Sequence, residues 1–230
     1  MVNFVPSLNA YMKTAVIAGA SGLTGRQLVR LLLEDDQYQR VISVGRNPCG
    51  IRHDKLEEIL VDFAELASVI NQLRGQDAFC CLGTTLRKAG SKERQYIIDH
   101  DFVVKFAKAT AAMGALRFFV ISSIGAATDT RNFYLRTKGE MERDIQKAPF
   151  KAIHIFRPSI IAGWRKDLRP GEKAGLLLSY LLWPLMLGSL RKYRPITAAA
   201  IARAVVAVSR SNETGLHAYE SNIMQQLGRH

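Results

Sequence analysis

The sequence predicts an α/β fold in which a doubly wound, mainly parallel sheet carries helices on both faces. Three observations favour it. Six short apolar runs alternate with segments of helical periodicity between residues 14 and 156, and a glycine-rich turn follows the first run. No linker and no internal repeat interrupts the alternation. This pattern is typical of a single domain, here residues 1–230, whose parallel strands are joined by right-handed crossovers.

The first strand, turn and helix form a recognisable unit. The run from Thr14 to Gly19 is rich enough in β-branched residues for a strand buried on both faces. Glycines at 19, 22 and 25 follow, and the next residues carry leucines spaced for a helix packed on a sheet. A strand, a glycine turn and a helix together direct backbone N–H groups at a phosphate. Tight turns also use glycine, so the motif gains its weight from the alternating pattern around it.

The remaining elements follow in order. Further strands are predicted at 40–45, 58–61, 78–82, 117–122 and 152–156, with a short one near 216–219. Helices are predicted through 66–73, from about 91 to 113, from about 133 to 147 and from about 197 to 209. Ligands of such sheets bind at the carboxyl ends of the strands, so the candidate residues are those that follow strands.

Composition and charge narrow the function classes. Of the 230 residues 48% are apolar, and Cys49, Cys80 and Cys81 have no disulfide or metal-ligand spacing, so we expect a cytoplasmic protein. The first twelve residues do not resemble a signal peptide. Residues 116–230 hold 18 Lys and Arg against 8 Asp and Glu. This surplus suggests an anionic ligand or an acidic surface, although solvated basic faces are a commoner cause. No basic stretch is interleaved with aromatic residues, so nucleic acid is not expected.

An uncharged stretch of 17 residues, 174–190, lies between Lys173 and Arg191. A membrane span needs about 20 residues, and Pro184 interrupts this one, so we do not expect it to cross a membrane. A buried or lid helix, a dimer surface and a weak membrane-surface contact stay open. We therefore expect residues 163–195 to form a small helical lid or substrate-side region, in a monomer or a homodimer.

The end of the second predicted strand indicates which dinucleotide would bind. At that position an acid bonds the ribose 2′-hydroxyl, whereas an arginine can hold a 2′-phosphate. The sequence reads Gly45-Arg46-Asn47, with no acid before Asp54. This favours NADP(H) over NAD(H), the alternative being an exposed loop arginine. Asp62 follows the third strand, where an acid could meet the adenine amino group.

A candidate proton donor follows the fifth strand. Tyr134 and Lys138 are four residues apart on the next helix, which puts both side chains on one face. A lysine ammonium near a phenol favours the phenolate, so the tyrosine can exchange a proton with a carbonyl or alcohol oxygen. Ser122 or Ser123, at the end of the strand, could polarise the same oxygen. A tyrosine–lysine pair at this spacing is common by chance, and its place after strand five gives it meaning.

These motifs together resemble the short-chain dehydrogenase/reductases in their atypical branch, and in particular the Tat-interacting-protein-like oxidoreductases and their bacterial relatives. The resemblance runs through about two thirds of the chain. It rests on the segments GASGLTGR (19–26), VGR (44–46), VDF (61–63), FCCLGTTLRKAGS (79–91), SSIGA (122–126), FYLRTKGEMER (133–143) and FRPSII (156–161). It implies a Rossmann-type NAD(P)-binding fold. The sequence departs from the family where Leu23 takes a position that is often acidic and Ser159 replaces a frequent glycine.

By this resemblance the catalytic residues would be Ser123, preferred over Ser122, with Tyr134 and Lys138. The expected cofactor-binding residues are Gly19, Ser21, Gly22, Leu23, Thr24, Gly25, Arg46, Asp62, Leu82, Gly83, Thr84, Tyr134, Lys138, Pro158, Ser159 and Ile160. Only 72 residues follow Pro158, which favours a small substrate over a sugar nucleotide.

Two functions stay open at this point. The first is an NADP(H)-dependent oxidoreductase that reduces a small carbonyl-type substrate. The second is an NADP(H)-binding redox-sensing or regulatory protein that acts through a protein partner. The presence of Tyr134, Lys138 and the serine pair favours the enzyme, because a sensor needs no proton donor.

Overall fold

The central sheet has seven strands, all parallel, in the order β3-β2-β1-β4-β5-β6-β9. It belongs to a computed structural model that describes residues 12–162 and 188–229. The sheet strands are β1 Lys13–Ala18, β2 Tyr38–Gly45, β3 Leu56–Leu60, β4 Asp77–Cys80, β5 Arg117–Ile121, β6 Ala152–Arg157 and β9 Gly215–Glu220. Two short strands, β7 Ile161–Ala162 and β8 Ile196–Thr197, pair with each other. The predicted fold class is confirmed.

The helices connect these strands. They are α1 Leu23–Glu34, a 3₁₀ helix Phe63–Gln72, α2 Leu86–Ala89, α3 Lys92–Tyr96, a π-helical turn Ile97–Asp101, α4 Phe102–Ala112, α5 Phe133–Ile145, a 3₁₀ helix Gly188–Tyr193, α6 Ala198–Ser209 and α7 Ser221–Leu227. Within residues 12–162 and 188–229, no helix combines the length and the apolar character that a membrane span requires.

Alternate residues of each strand enter two separate hydrophobic cores. Ile17 of β1 packs with Phe79 and Phe119 in the core that α1 and α6 cover. Val16 and Phe118 point to the other face and pack in the core that α4, α5 and the first 3₁₀ helix cover. Both sheet faces are therefore buried, which explains why the central strands are apolar along their whole length.

The order of the strands reverses between β1 and β4. Along the chain β1 is followed by β2 on one side, whereas β4 pairs with β1 on the other side. At the carboxyl ends of these strands, Ala18 lies opposite both Val44 and Cys80. The residues that follow these strands therefore meet at one edge of the sheet, where ligands of such folds bind.

Aromatic rings form a row across the α1 and α6 face of the sheet. Phe79 stacks on Phe119 at 4.7 Å between ring centroids, Phe119 on His154 at 4.8 Å, and His154 on His217 at 5.3 Å. His154 is fully buried and lies 3.0 Å from the Tyr219 hydroxyl. Burial, together with the nearby His217 and Arg117, lowers the pKa of His154 to about 4. The imidazole is therefore neutral in the folded protein at neutral pH.

Several predicted elements differ from those observed. The long helix predicted from about 91 to 113 contains the π turn Ile97–Asp101, and the segment through 66–73 is a 3₁₀ helix. Helices α2 and α7 were not predicted. Strand β4 ends at Cys80 instead of residue 82, although the Cys81 N–H still bonds the Ala18 carbonyl at 2.8 Å. Residues 163–187 of the lid expected at 163–195 lie outside the described residues. The same is true of most of the apolar stretch 174–190.

Candidate active site

The turn between β1 and α1 requires glycine at two of its three glycine positions. Gly19 has φ +82°, and a Cβ there would lie 2.6 Å from the backbone carbonyl carbon of Cys81. A Cβ at Gly25 would lie 2.1 Å from the Gly19 carbonyl oxygen. The turn thus packs against the end of β4 on one side and against α1 on the other. Both roles agree with the glycine spacing in the sequence.

The N-terminus of α1 is open to a ligand. Gly22 is its N-cap residue, and no side chain of the described residues is seen to cap the first turn of this helix. Its first backbone N–H groups therefore have no intrahelical partner, as at the start of any α-helix. N–H groups arranged in this way fit the diphosphate of a dinucleotide.

A first cavity extends from this turn along the ends of β2 and β4. The predicted cofactor-binding residues that line it are Gly19, Ser21, Gly22, Arg46, Leu82, Gly83 and Thr84. Phe63, Ile98 and Phe102 add apolar surface to the same lining. The exposed Arg46 is the basic residue of the lining, and the lining drawn from the described residues contains no carboxylate.

Nine predicted cofactor-binding residues do not line this cavity, and four of these come before Leu82 in the chain: Leu23, Thr24, Gly25 and Asp62. Leu23 is exposed, and Thr24 and Gly25 are buried in the first turn of α1. The Asp62 carboxylate accepts a hydrogen bond from the Ala64 N–H at 2.9 Å and so caps the first 3₁₀ helix. Asp62 therefore has a local structural role that the sequence pattern did not reveal.

A second cavity, of about 610 Å³, adjoins the first. Thr84 lines both, so the two are neighbours along the edge of the sheet. The predicted residues in the lining of the second cavity are Ser122, Ser123, Tyr134, Pro158, Ser159 and Ile160. Lys138 does not line it and is buried behind it, one helical turn from Tyr134.

The two adjacent serines differ in their hydrogen bonds. Ser122 is buried, and its hydroxyl donates to Oε1 of Glu142. The Glu142 carboxylate also accepts a hydrogen bond from Nε of Arg157 at 3.0 Å. For the half-buried Ser123, the one hydroxyl bond seen within the described part of the chain is a long one of 3.4 Å to the Ile124 carbonyl. The Ser123 hydroxyl is therefore the freer of the two to bind a ligand in the cavity.

Lys138 forms an ion pair inside the protein. Its Nζ lies 2.8 Å from Oδ1 of Asp99, and the two side chains are 3% and 1% exposed. The other Asp99 oxygen accepts a hydrogen bond from the Thr84 N–H at 3.2 Å. Burial by itself lowers the pKa of Lys138, but the Asp99 carboxylate and the Tyr134 side chain outweigh it, so the pKa is raised. Lys138 is therefore charged at neutral pH.

Four residues of the site were not singled out in the sequence. Asp99 lies in the π turn, and Lys92, Gln95 and Phe133 line the second cavity. In the sequence, three of them fall within the predicted helix from 91 to 113, where charged and polar residues are typical of a solvated face. Phe133 could have been found, since it directly precedes Tyr134 at the start of α5.

A parallel sheet with a glycine turn at its reversal point, beside a cavity lined by serine and tyrosine, defines the class of NAD(P)H-binding Rossmann proteins. The profile of the NAD(P)H-binding family matches residues 19–162. The chain belongs to this family, within the atypical short-chain dehydrogenase/reductases.

Sequence identity relates the chain to two groups of proteins within this family. The chain is 35% identical over 164 residues to the protein HTATIP2 of Rattus norvegicus, a match that covers 70% of this chain and 67% of that protein. It is 33% identical over 169 residues to the mitochondrial protein FMP52 of Saccharomyces cerevisiae, covering 72% of this chain and 73% of that protein. The chain is thus a relative of HTATIP2 and FMP52.

Solved structures agree on the fold. The enzyme WbmH of Bordetella bronchiseptica, in complex with NAD⁺, superposes with a TM-score of 0.67 at 16% identity, covering 95% of this chain and 80% of that one. A short-chain dehydrogenase/reductase superfamily protein from Agrobacterium tumefaciens, with bound NAD, has a TM-score of 0.64 at 12% identity, covering 90% and 78%. At these identities the likeness concerns the fold alone.

Proposed function

We propose that the protein is an NADP(H)-dependent oxidoreductase that reduces a small carbonyl-type substrate in the 610 Å³ cavity. The observation that carries the proposal is the grouping of three side chains. Ser123 and Tyr134 line this cavity, and Lys138 lies charged behind it. A binding protein without chemistry would not need to bury a lysine and its counter-ion beside a tyrosine.

The residues of the first cavity would hold the cofactor. The backbone N–H groups of the glycine turn suit the diphosphate, and the exposed Arg46 guanidinium suits a 2′-phosphate. No acid lines this cavity in the described part of the chain, and an acid is what would favour the 2′-hydroxyl of NAD(H). When bound, the reduced nicotinamide supplies a hydride to the carbonyl carbon.

The residues of the second cavity would handle the proton. The Tyr134 hydroxyl donates its proton to the substrate oxygen as that oxygen gains negative charge. The Ser123 hydroxyl donates a hydrogen bond to the same oxygen and orients it. The Lys138 ammonium stabilises the phenolate that Tyr134 becomes, because an opposite charge nearby favours the ionised form.

The test replaces the proposed proton donor. Tyr134→Phe keeps the ring and removes the hydroxyl, so NADPH affinity and fold should change little while turnover falls by roughly a hundredfold or more. Turnover is measured by loss of NADPH absorbance on the best substrate of a carbonyl panel. Tyr96→Phe is the matched control, because the Tyr96 hydroxyl bonds Glu140 outside the cavity. Wild-type turnover in Tyr134→Phe would overturn the proposed role of Tyr134. Absence of turnover by the wild type on every compound of the panel would instead favour the NADP(H)-sensing regulatory protein.

A further inference from the structure

Most polar groups around the second cavity are already engaged by the protein. The Thr85 hydroxyl accepts from the Lys88 N–H, and the Asn132 side chain accepts from the Leu135 N–H. The Ser159 hydroxyl donates to the Arg194 carbonyl, and Ser122 is held by Glu142. The Ser122 and Ser159 hydroxyls are thus committed as donors within the protein, which leaves the other polar side chains of the lining to recognise a substrate.

Two of those left are on the same face of α3. Lys92 and Gln95 are three residues apart, so their side chains are neighbours on the helix surface, and both line the cavity. Gln95 is only 4% exposed, and it lines the cavity, so its side chain faces the space that a substrate would fill. A carboxamide in a cavity wall can donate hydrogen bonds to a ligand bound there.

Charge and shape specify this ligand further. Lys92 is the cation of the lining, and no aspartate or glutamate lines the cavity in the described segments. Its Nζ lies 5.6 Å from the centre of the Phe133 ring, which holds the ammonium at the cavity wall. Leu86, Ile160 and Ile161 add apolar surface beside it. The cavity therefore offers one positive charge and one side-chain amide next to an apolar wall.

We infer that Lys92 and Gln95 bind a carboxylate on the substrate, so that the substrate class is a keto acid or aldehyde acid with an apolar body. This inference rests on the proposed function, since the carbonyl end of the substrate is assigned to Ser123 and Tyr134. The carboxylate accepts hydrogen bonds from the Lys92 ammonium and from the Gln95 amide N–H. The apolar body lies against Phe133 and Ile160. The site selects acids over their neutral esters.

The experiment compares 3-benzoylpropionate with its methyl ester. The two compounds share the ketone and the apolar ring and differ in the negative charge. Binding is measured by titration calorimetry on the protein saturated with NADP⁺, so that no turnover takes place. We expect the wild-type protein to bind the acid at least tenfold more tightly than the ester. Lys92→Gln should reduce that ratio to about twofold, and Gln95→Met should weaken the acid severalfold while leaving the ester nearly unchanged.

Arg94→Gln is the matched control, because Arg94 is an exposed cation on the same helix that does not line the cavity. It should keep the wild-type ratio. Equal affinities for acid and ester in the wild type, or an equal loss of ratio in Arg94→Gln, would overturn the carboxylate site. So would no binding of either compound at millimolar concentration. If the protein then still reduces neutral carbonyls, and this activity requires Tyr134, the carboxylate site is wrong but the proposed oxidoreductase function is retained.

Discussion

The buried pair of Lys138 and Asp99 gives a prediction whose size follows from its burial. Asp99→Asn keeps the shape of the side chain and removes the counter-charge of an ammonium that is 3% exposed. Removing one partner of a buried pair typically costs about 3–5 kcal/mol, because the other charge is left uncompensated. In a chain of this size each kcal/mol lowers the Tm by about 2–4 °C. Asp99→Asn should therefore melt about 6–20 °C below the wild type.

The pH dependence of this loss has a definite sign. In the wild type the pKa of Lys138 is raised, so the pair contributes its full stability below the ordinary lysine pKa of about 10.4. That contribution is lost as the pH rises through the folded-state pKa. In Asp99→Asn burial acts without the carboxylate and favours neutral lysine. The deficit of the variant should therefore be largest at neutral pH and shrink as the pH approaches 10.4.

Urea denaturation at several pH values measures both effects. Asp101→Asn is the control, because Asp101 is two residues away in the same π turn and its side chain is 50% exposed beside His100. It should cost no more than about 1 kcal/mol. Adding Lys138→Met to Asp99→Asn removes the unpaired charge and should restore much of the stability. A loss below about 1 kcal/mol in Asp99→Asn at neutral pH would refute the reasoning.

Three further predictions concern the cofactor, the serines and the aromatic row. The wild type should bind NADPH at least tenfold more tightly than NADH, a difference in binding free energy of about 1.4 kcal/mol. Arg46→Asp should reduce or reverse that ratio. Equal dissociation constants for the two cofactors in the wild type would contradict the prediction. Ser123→Ala should reduce turnover with unchanged melting, whereas Ser122→Ala should lower the Tm because it breaks the bond to Glu142; the opposite pattern would make Ser122 the site serine. Burial lowers the pKa of His154 to about 4, so below pH 6.5 the unfolded chain binds more protons than the folded protein. Up to about 3 kcal/mol of the free energy of unfolding is therefore lost as the pH falls from 6.5 to 4. His154→Phe should remove this acid-side loss, as followed by denaturation across that pH range. His217→Phe should keep the larger part of it, because burial is the main cause of the lowered pKa and His217 only adds to it.

The sheet and the glycine turn could be predicted because their signals are local. A strand buried on both faces must be apolar along its length, and a turn with φ +82° at Gly19 requires glycine. Each constraint can therefore be recognised in a short segment of the sequence. The places of Arg46, Ser123 and Tyr134 followed from the same rule, since each comes after a predicted strand. Their roles in binding and catalysis stay predictions.

The inward side of the helix from 91 to 113 could not be predicted in the same way. With a regular period of 3.6 residues, Asp99 and Gln95 are four positions apart, and charged or amide side chains at that spacing are typical of a solvated face. The structure buries both instead. Asp62 has a capping role that its sequence position did not reveal, and its contact with adenine stays a prediction. Its position after β3 suggested a ligand, yet its carboxylate caps the helix that begins at the next residue.

The π turn explains how one carboxylate can serve both cavities. A π turn inserts a residue into the α-helical repeat, and such insertions are frequent at functional sites. Here the turn carries Asp99 inward, where one oxygen holds Lys138 and the other holds the Thr84 backbone. Thr84 lies in the loop after β4 and lines both cavities. Asp99 therefore contacts both this loop and the lysine behind Tyr134. A shift of that loop would therefore move Asp99, the partner of the lysine that lies behind Tyr134.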